Sequence, residues 1–342
     1  MPPKFLFVNI NMRCNLKCQH CAFWHFHDEG KENWMPIPRL LEVIDEFADM
    51  GPVGDMTRNG RAVVICVAES MLWPEKYFAV CAKCRERKLR CLSVTSGTLI
   101  QTEKVADRMI LEGPSEITIS LDSSFEDQHD AMRGVPGAYS KAIQATRMLL
   151  ESRARNNSPT KIYLMGLIYE ENYRDLPAFY DLALDQLKVD KLKLNFLQPT
   201  FGSAPPDTFF EEHYIRDSKN LSKIIQECDT RWNLRLNPKW LNAVTLYFDS
   251  IQKNGNALQG WNACPGTPRS ICNSYERNIM VSLEGRASLC FCTRYPSFPL
   301  TIKGDLSKFW YKDSKSIALQ MLTCGLYCGI SHSVRRENAT LD

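Results

Sequence analysis

Short apolar runs alternate with amphipathic stretches along the first 200 residues. AVVICV (62–67) has no polar position, which predicts a strand covered on both faces. PRLLEVIDEFADMG (38–51) repeats apolar residues at helical spacing between a proline and a glycine, which predicts a helix. The full series of predicted strands is 5–10, 62–67, 89–96, 116–122, 161–168 and 191–197, and that of predicted helices is 38–51, 74–88, 102–113, 139–153 and 173–187.

This alternation has a direct consequence for the fold. Strands that alternate with helices form a parallel sheet with helices outside it, because each crossover must return to the same end of the sheet. Six such units predict an α/β fold, a partial (β/α)6 TIM-like barrel. In such folds the chemistry lies in the loops that follow the strands.

The C-terminal third has a different pattern. Two longer helices are predicted at 209–228 and 239–252, and RNIMVSLEGRASLC (277–290) predicts a hairpin turning at Glu284-Gly285. We therefore expect three regions: a barrel at 1–200, a helical linker region at 201–255 and a C-terminal module at 256–342.

Composition and charge narrow the function classes. The chain is 44% apolar and 24% charged, with a net charge of +3, so it carries no basic excess for nucleic acid or an anionic membrane. The apolar run 5–10 is too short for a signal peptide, and no run reaches eighteen apolar residues. We expect a cytoplasmic protein, in which fourteen cysteines are metal ligands, catalytic groups or buried residues rather than disulfides.

Three of these cysteines form a cluster directly after the first predicted strand. Cys14, Cys18 and Cys21 are spaced C-x3-C-x2-C. With His25 they could form a zinc knuckle, since structural zinc takes four ligands. Alternatively, three thiolates hold an iron–sulfur cube and leave one iron open to a ligand.

C-x3-C-x2-C after the first strand of a six-fold βα barrel resembles the radical S-adenosylmethionine (SAM) enzymes. The resemblance implies a [4Fe-4S] cluster whose open iron chelates the amine and carboxylate of SAM. The reduced cluster then cleaves SAM to a 5′-deoxyadenosyl radical, which abstracts a hydrogen atom from the substrate.

The resemblance continues in the following loops. Val67-Ala68-Glu69-Ser70 stands where many members have Gly-Gly-Glu-Pro, so the glutamate is kept and both glycines are replaced. TSG (95–97), SLD (120–122) and QHDAMRG (128–134) resemble the loops after strands 3 and 4. His129 in the last of these is expected to be a solvated loop residue. The SAM contacts that the resemblance implies are His20, Ala68, Glu69, Ser96, Ser120, Asp122 and Arg133.

The tail cysteines resemble those of the SPASM and twitch domains of some radical SAM enzymes. Cys272 and Cys290 flank Gly285 with the spacing that opens these domains, but no C-x2-C-x5-C-x3-C run follows, which favours a twitch domain with one auxiliary [4Fe-4S] cluster. Cys264 could replace one ligand; Cys264 and Cys292 are also candidate hydrogen donors, or inert buried thiols. The implied auxiliary ligands are Cys272, Cys290, Cys324 and Cys328.

The substrate is the least constrained part of the prediction. An auxiliary cluster suits a redox step, such as dehydrogenation, on a small polar molecule: a sugar, an aminocyclitol or a nucleoside. A peptide maturase would need a separate partner for leader recognition, because strand 1 begins near Phe5. The lost glycines also leave open a degenerate scaffold that holds clusters without catalysis. The expected partners are the substrate and a reductant such as flavodoxin or ferredoxin, with no nucleic acid and no membrane.

Overall fold

The computed structural model describes residues 1–25, 33–54, 60–198, 208–254, 274–291 and 295–321. The described strands form one sheet in the order β6-β5-β4-β3-β2-β1-β7-β8-β9. They are β1 (Phe5–Val8), β2 (Ala62–Ile65), β3 (Arg90–Thr95), β4 (Glu116–Ser120), β5 (Lys161–Ile168), β6 (Lys191–Phe196), β7 (Asn278–Val281), β8 (Arg286–Ser288) and β9 (Phe298–Pro299).

The sheet is mostly parallel. Strands β1 to β6 pair with their chain neighbours in parallel, and β7 pairs parallel to β1 with Phe5 opposite Asn278. β8 and β9 add antiparallel strands, so the hairpin predicted at 277–290 is confirmed. The predicted α/β class is also confirmed, and the hairpin extends the same sheet that carries the N-terminal strands.

Helices follow most of the parallel strands. The helices are α1 (Ile37–Asp49), α2 (Pro74–Glu86), α3 (Glu103–Leu111), α4 (Glu126–Arg133), α5 (Ala138–Arg155), α6 (Leu176–Tyr180), α7 (Thr208–His213), α8 (Ser218–Trp232), α9 (Pro238–Asn254), α10 (Ser274–Arg277), α11 (Asp305–Lys308) and α12 (Lys315–Met321). Wide helical turns continue α6 over Asp181–Gln186 and α11 over Phe309–Asp313. In the part of the chain that the structure describes, no helix combines the length and hydrophobicity that crossing a bilayer requires.

One predicted helix is divided in two. The single helix predicted over 209–228 is wrong, because α7 ends at His213 and α8 begins at Ser218. Asp217 caps the second helix, and its carboxylate accepts the Asn220 N–H at 2.9 Å. A capping carboxylate satisfies a backbone donor that a new helix leaves unpaired, which stabilises a fresh start at this point.

The two faces of the sheet carry different side chains. Leu6, Val63 and Ile117 belong to the large core that packs against the helices. Alternate residues point the other way, and on this second face Phe5, Ala62 and Val64 form a separate apolar cluster, with Phe7, Cys66 and Leu92 packed against it.

The second face is more polar on β4 to β6. By alternation, Thr118, Ser120, Tyr163 and Lys193 lie on it. Lys193 Nζ donates to Thr118 Oγ1 at 3.0 Å and lies 4.1 Å from the centre of the Tyr163 ring.

Candidate functional site

The cysteine loop follows β1 at the C-terminal edge of the parallel sheet. Cys18 is buried and packs with Leu16 and Ala138, and the half-buried Cys14 and Cys21 pack against the same small cluster. The Cys21 N–H donates to the Cys18 carbonyl at 3.2 Å, which turns the chain between these two thiols. The loop therefore gathers three thiols around one small apolar base.

Electrostatics show that the three thiols lie near one another. Burial is the largest cause that raises the pKa of Cys14 to about 12, and the charges of Cys18 and Cys21 contribute to the same shift. Burial also raises the pKa of Cys18 and of Cys21. Within the described ranges no three His, Cys, Asp or Glu side chains converge on a single metal ion. The three thiolates that hold a cube bind three different irons, so they surround a volume instead of meeting at a point.

The cysteine loop is docked on the C-terminal end of α4. The Lys17 N–H donates to the Arg133 carbonyl and the Gln19 N–H to the Met132 carbonyl, each at 3.0 Å. These bonds satisfy carbonyls that a helix end leaves unpaired. Gly134 ends α4 with φ +65°, and a Cβ there would lie 2.4 Å from the Lys17 carbonyl oxygen. The close approach of loop and helix therefore requires a glycine at 134.

A second loop, after β2, is tied to the cysteine loop. The Glu69 N–H donates to the Arg13 carbonyl at 3.0 Å, and Asn11 Nδ2 donates to the Glu69 carbonyl at 2.9 Å. Just before Glu69, Val67 and Ala68 have φ values of 75° and 52°. This left-handed backbone is one that glycine adopts readily and that a β-branched residue avoids.

Glu69 is buried and joins this loop to the end of β3. Its carboxylate accepts the Thr95 hydroxyl at 2.8 Å, the Ser96 hydroxyl at 2.6 Å and the Ser96 N–H at 2.8 Å. The Met71 N–H donates to the same group at 3.2 Å. The glutamate is thus a structural clamp between two loops, and Ser96 reaches the site through it.

Asp122 and Arg133 form a buried ion pair beside Cys18. Arg133 Nη2 donates to Asp122 Oδ1 at 2.8 Å, and Arg133 Nη1 lies 3.8 Å from Cys18 Sγ as a donor to sulfur. Arg133 Nε lies 2.7 Å from Asp122 Oδ2, an ion-pair contact whose geometry is not that of a hydrogen bond. Burial raises the pKa of Asp122, but the charges of Arg133, His129 and His20 and the Leu167 N–H together hold that pKa below its usual value.

Three groups hold Asp122 in place. Its carboxylate accepts the Leu167 N–H at 3.1 Å, its carbonyl accepts Asn172 Nδ2 at 2.8 Å, and its N–H donates to His129 Nδ1 at 3.0 Å. The expectation that His129 is a solvated loop residue is wrong, since it is 1% exposed. Burial lowers its pKa to about 4, and its bond to a backbone donor requires the neutral ring. The burial follows from α4, which turns the ring toward the sheet.

Two further predicted residues lie close to this pair or on its strand. His20 is half-buried, its Nδ1 lies 3.4 Å from Met132 Sδ, and burial lowers its pKa to about 4 against the charge of Asp122, which raises it. Ser120 is buried at the end of β4.

Asn11, Asn172 and His129 were not predicted as site residues. The sequence gives only a weak signal for them, namely polar residues near the ends of strands.

The predicted tail ligands are mostly beyond what the structure describes. Cys290 is buried just after β8, and Cys264, Cys272, Cys292, Cys324 and Cys328 lie outside the described residues. In the middle of the chain, Cys81 and Cys84 are buried on α2, and Cys91 Sγ lies 3.9 Å from Cys81 Sγ.

A protein-family model fits this part of the chain. The model described as "Radical SAM superfamily" matches residues 8–183, more than half of the 342 residues and the whole site described above. The chain belongs to the radical SAM superfamily. Membership implies a [4Fe-4S] cluster and SAM, and the donor set fits: three soft thiolates suit an iron–sulfur cluster.

Several named proteins are similar to parts of this chain. The chain is 29% identical over 184 residues to an Fe-coproporphyrin III synthase of Methanosarcina barkeri, and 28% identical over 149 residues to an AdoMet-dependent heme synthase of Nitratidesulfovibrio vulgaris. These matches cover 54% and 44% of this chain but 41% and 38% of the relatives, so the chain spans about two fifths of their length. A PqqA peptide cyclase of Granulibacter bethesdensis is 24% identical to this chain, and the match covers 53% of this chain and 44% of the cyclase.

A solved structure has the same fold. Streptococcus suis SuiB bound to S-adenosylmethionine superimposes with a TM-score of 0.62 at 15% identity, covering 91% of this chain and 64% of SuiB. At this identity the likeness is one of fold alone.

Proposed function

We propose that this radical SAM protein reductively cleaves SAM and uses the resulting radical to abstract a hydrogen atom from an organic substrate. The observation that carries the proposal is the group of three neighbouring thiols in the loop after β1. When bound, a four-iron cluster supplies the electron that breaks a carbon–sulfur bond of SAM. The chain's own part is to hold the cluster through Cys14, Cys18 and Cys21 and to bind and orient SAM.

Several groups at the sheet edge are suited to bind SAM. The left-handed backbone at Val67 and Ala68 supplies main-chain groups for the amine in the conformation that glycines normally provide. We assign Arg133, which lies beside Cys18, to the SAM carboxylate, as the family resemblance implies. We assign Ser120 and His20 to the ribose and adenine side, as the family resemblance implies.

We propose a tetrapyrrole with carboxylate groups as the substrate class. The two highest-identity relatives described above are named for porphyrin and heme synthesis. The second face of the sheet carries a cation, Lys193, beside the Tyr163 ring. The Lys193 ammonium could bind a carboxylate of the macrocycle. The names of these relatives give no support to the expected sugar, aminocyclitol or nucleoside.

Peptide modification is the second candidate, because one relative is named a peptide cyclase. For either substrate we propose a flavodoxin or ferredoxin as electron donor. We also propose an auxiliary cluster held by Cys272, Cys290, Cys324 and Cys328, with Cys264 or Cys292 as a hydrogen donor.

The substrate proposal is tested by coupling. Coproporphyrin III and its iron complex are each added to the reconstituted, reduced protein, and one of them should raise 5′-deoxyadenosine release several-fold and show a changed absorption spectrum. Lys193→Gln should raise KM for the porphyrin about tenfold, the loss of one charge-assisted hydrogen bond. Lys161→Gln, at the exposed start of β5, is the matched control. Stimulation by a peptide and not by the porphyrin would favour the second candidate.

A further inference from the structure

The Asp122–Arg133 pair lies within reach of a cluster ligand. Arg133 has three contacts: its Nη1 faces Cys18 Sγ at 3.8 Å, its Nη2 donates to Asp122 Oδ1 at 2.8 Å, and its Nε lies 2.7 Å from Asp122 Oδ2. The guanidinium is therefore between the thiol and the carboxylate. Of the two opposite charges, the positive one is in contact with the sulfur.

Burial makes these charges effective at short range. The side chains are 12% and 1% exposed for Arg133 and Asp122. Charges interact more strongly where water is excluded. The pair is also held in one geometry, because the Leu167 N–H, Asn172 and His129 fix Asp122 from the strand side.

We propose that Asp122 and Arg133 set the reduction potential of the cluster that Cys18 holds. The inference rests on the proposed function, since it requires the cluster in the cysteine loop. Reduction adds one electron to the cluster, so a positive charge beside a ligating sulfur favours the reduced form and a negative charge disfavours it. Net charge and hydrogen bonds to sulfur are known determinants of cluster potential. In setting the potential, both residues act through Cys18, separately from the SAM contact proposed for Arg133.

The proposal predicts shifts of opposite sign. Arg133→Gln removes the positive charge beside Cys18 and should lower the potential, whether the buried Asp122 stays ionised or takes up a proton. Asp122→Asn keeps the shape and the acceptor oxygen, leaves the guanidinium unneutralised and should raise the potential. The double variant, which removes both charges, should lie below Asp122→Asn. If the pair only packed the cysteine loop, each variant would be less stable, but the two single variants would not shift the reduction potential in opposite directions.

The experiment is a redox titration of the full chain, reconstituted with iron and sulfide and followed by electron paramagnetic resonance without SAM. To isolate one signal, Cys272, Cys290, Cys324 and Cys328 are replaced by alanine in every protein compared. We expect each single variant to change the ratio of reduced to oxidised cluster at least tenfold at a fixed potential, which is about 59 mV for a one-electron couple. Gln19→Leu is the control, since it removes the uncharged bond of Gln19 Nε2 to the Ala131 carbonyl.

Two results would overturn the inference: single variants that shift the potential in the same direction, or shifts no larger than that of Gln19→Leu. If Arg133→Gln fails to hold the cluster, Asp122→Asn decides alone, and an unchanged or lower potential rejects the proposal. A wild-type protein that assembles no cluster in the cysteine loop would reject this inference and the proposed function together. A normal cluster and normal SAM cleavage with no charge effect would reject only the inference.

Discussion

Val67 and Ala68 stand where the family resemblance implies two glycines. Both hold a left-handed backbone, with φ values of 75° and 52°. A non-glycine residue in this region costs about 1–2 kcal/mol, and more when it is β-branched. The surrounding bonds of Glu69 to Arg13, Asn11 and Ser96 hold the conformation. The sequence predicted the loss of both glycines but not that the backbone would keep their conformation.

Replacing Val67 with glycine should relieve this strain. We expect Val67→Gly to raise the free energy of unfolding by about 1 kcal/mol, the left-handed cost less the extra backbone entropy of glycine. Val94→Gly, at a half-buried position on β3 without a positive φ, should lower it. Urea unfolding of both variants is the measurement, and destabilisation by Val67→Gly as large as by Val94→Gly would contradict the strain.

His129 gives the protein a pH-dependent stability. Its pKa is lowered by burial from 6.5 to about 4 in the folded state, where Asp122, Arg133 and Asp130 also act on it. Below pH 6.5 the unfolded chain binds a proton that the folded chain does not, so stability falls as pH falls toward 4. Between pH 7 and pH 4.5 the wild type should lose about 2 kcal/mol more than His129→Gln, measured by urea unfolding without iron. Equal losses would show that this ring is not buried in its neutral form.

At the scale of elements, hydrophobic periodicity and the residues at helix ends predicted several strands and helices correctly. β5 occupies the residues predicted for it, and α1 begins and ends within two residues of its prediction. The helix break before α8 was missed because its apolar pattern runs through Asp217, whose cap is a local signal of one residue. The docking of the cysteine loop on α4 was also missed. Arg133 and Cys18 are 115 residues apart, and a local sequence pattern cannot predict which distant loop will bind the end of a helix.

Gly134 tests that docking. Gly134→Ala should lower the free energy of unfolding by about 1–2 kcal/mol from the left-handed backbone alone, and a Cβ 2.4 Å from the Lys17 oxygen must also push the cysteine loop away. We expect faster loss of iron to a chelator. Gly137→Ala is the matched control, because φ is +76° there and the nearest atom is Ser140 Oγ at 3.8 Å. If both variants retained iron equally, the docking would not support the cluster.

For the whole molecule, one sheet joins both ends of the chain. β7 pairs with β1, the strand that leads into the cysteine loop, and Phe291 packs edge-on against Phe7 with ring centres 4.7 Å apart. The sequence predicted the hairpin but not this pairing, because β7 follows β6 by many residues and either parallel edge strand could accept it. Cys290 therefore follows a strand of the same sheet whose strand β1 leads into the N-terminal cysteines.

Iron content separates the two proposed clusters. With both sites filled, the chain should bind about eight irons, as two four-iron clusters. Replacing Cys14, Cys18 and Cys21 by alanine should leave about four, and replacing Cys272, Cys290, Cys324 and Cys328 should leave the other four. Iron and acid-labile sulfide are assayed in each protein. A triple variant that keeps all its iron would contradict the N-terminal assignment.

SAM cleavage is tested by the release of 5′-deoxyadenosine from SAM by the anaerobically reconstituted protein with dithionite. We expect release by the wild type and by Cys228→Ala, which alters a buried thiol on α8, and none by the variant that lacks Cys14, Cys18 and Cys21. A wild-type protein with its clusters intact that releases no 5′-deoxyadenosine would contradict the proposed function and favour a non-catalytic scaffold. Equal release by the triple variant would contradict it as well, because SAM would then be cleaved elsewhere.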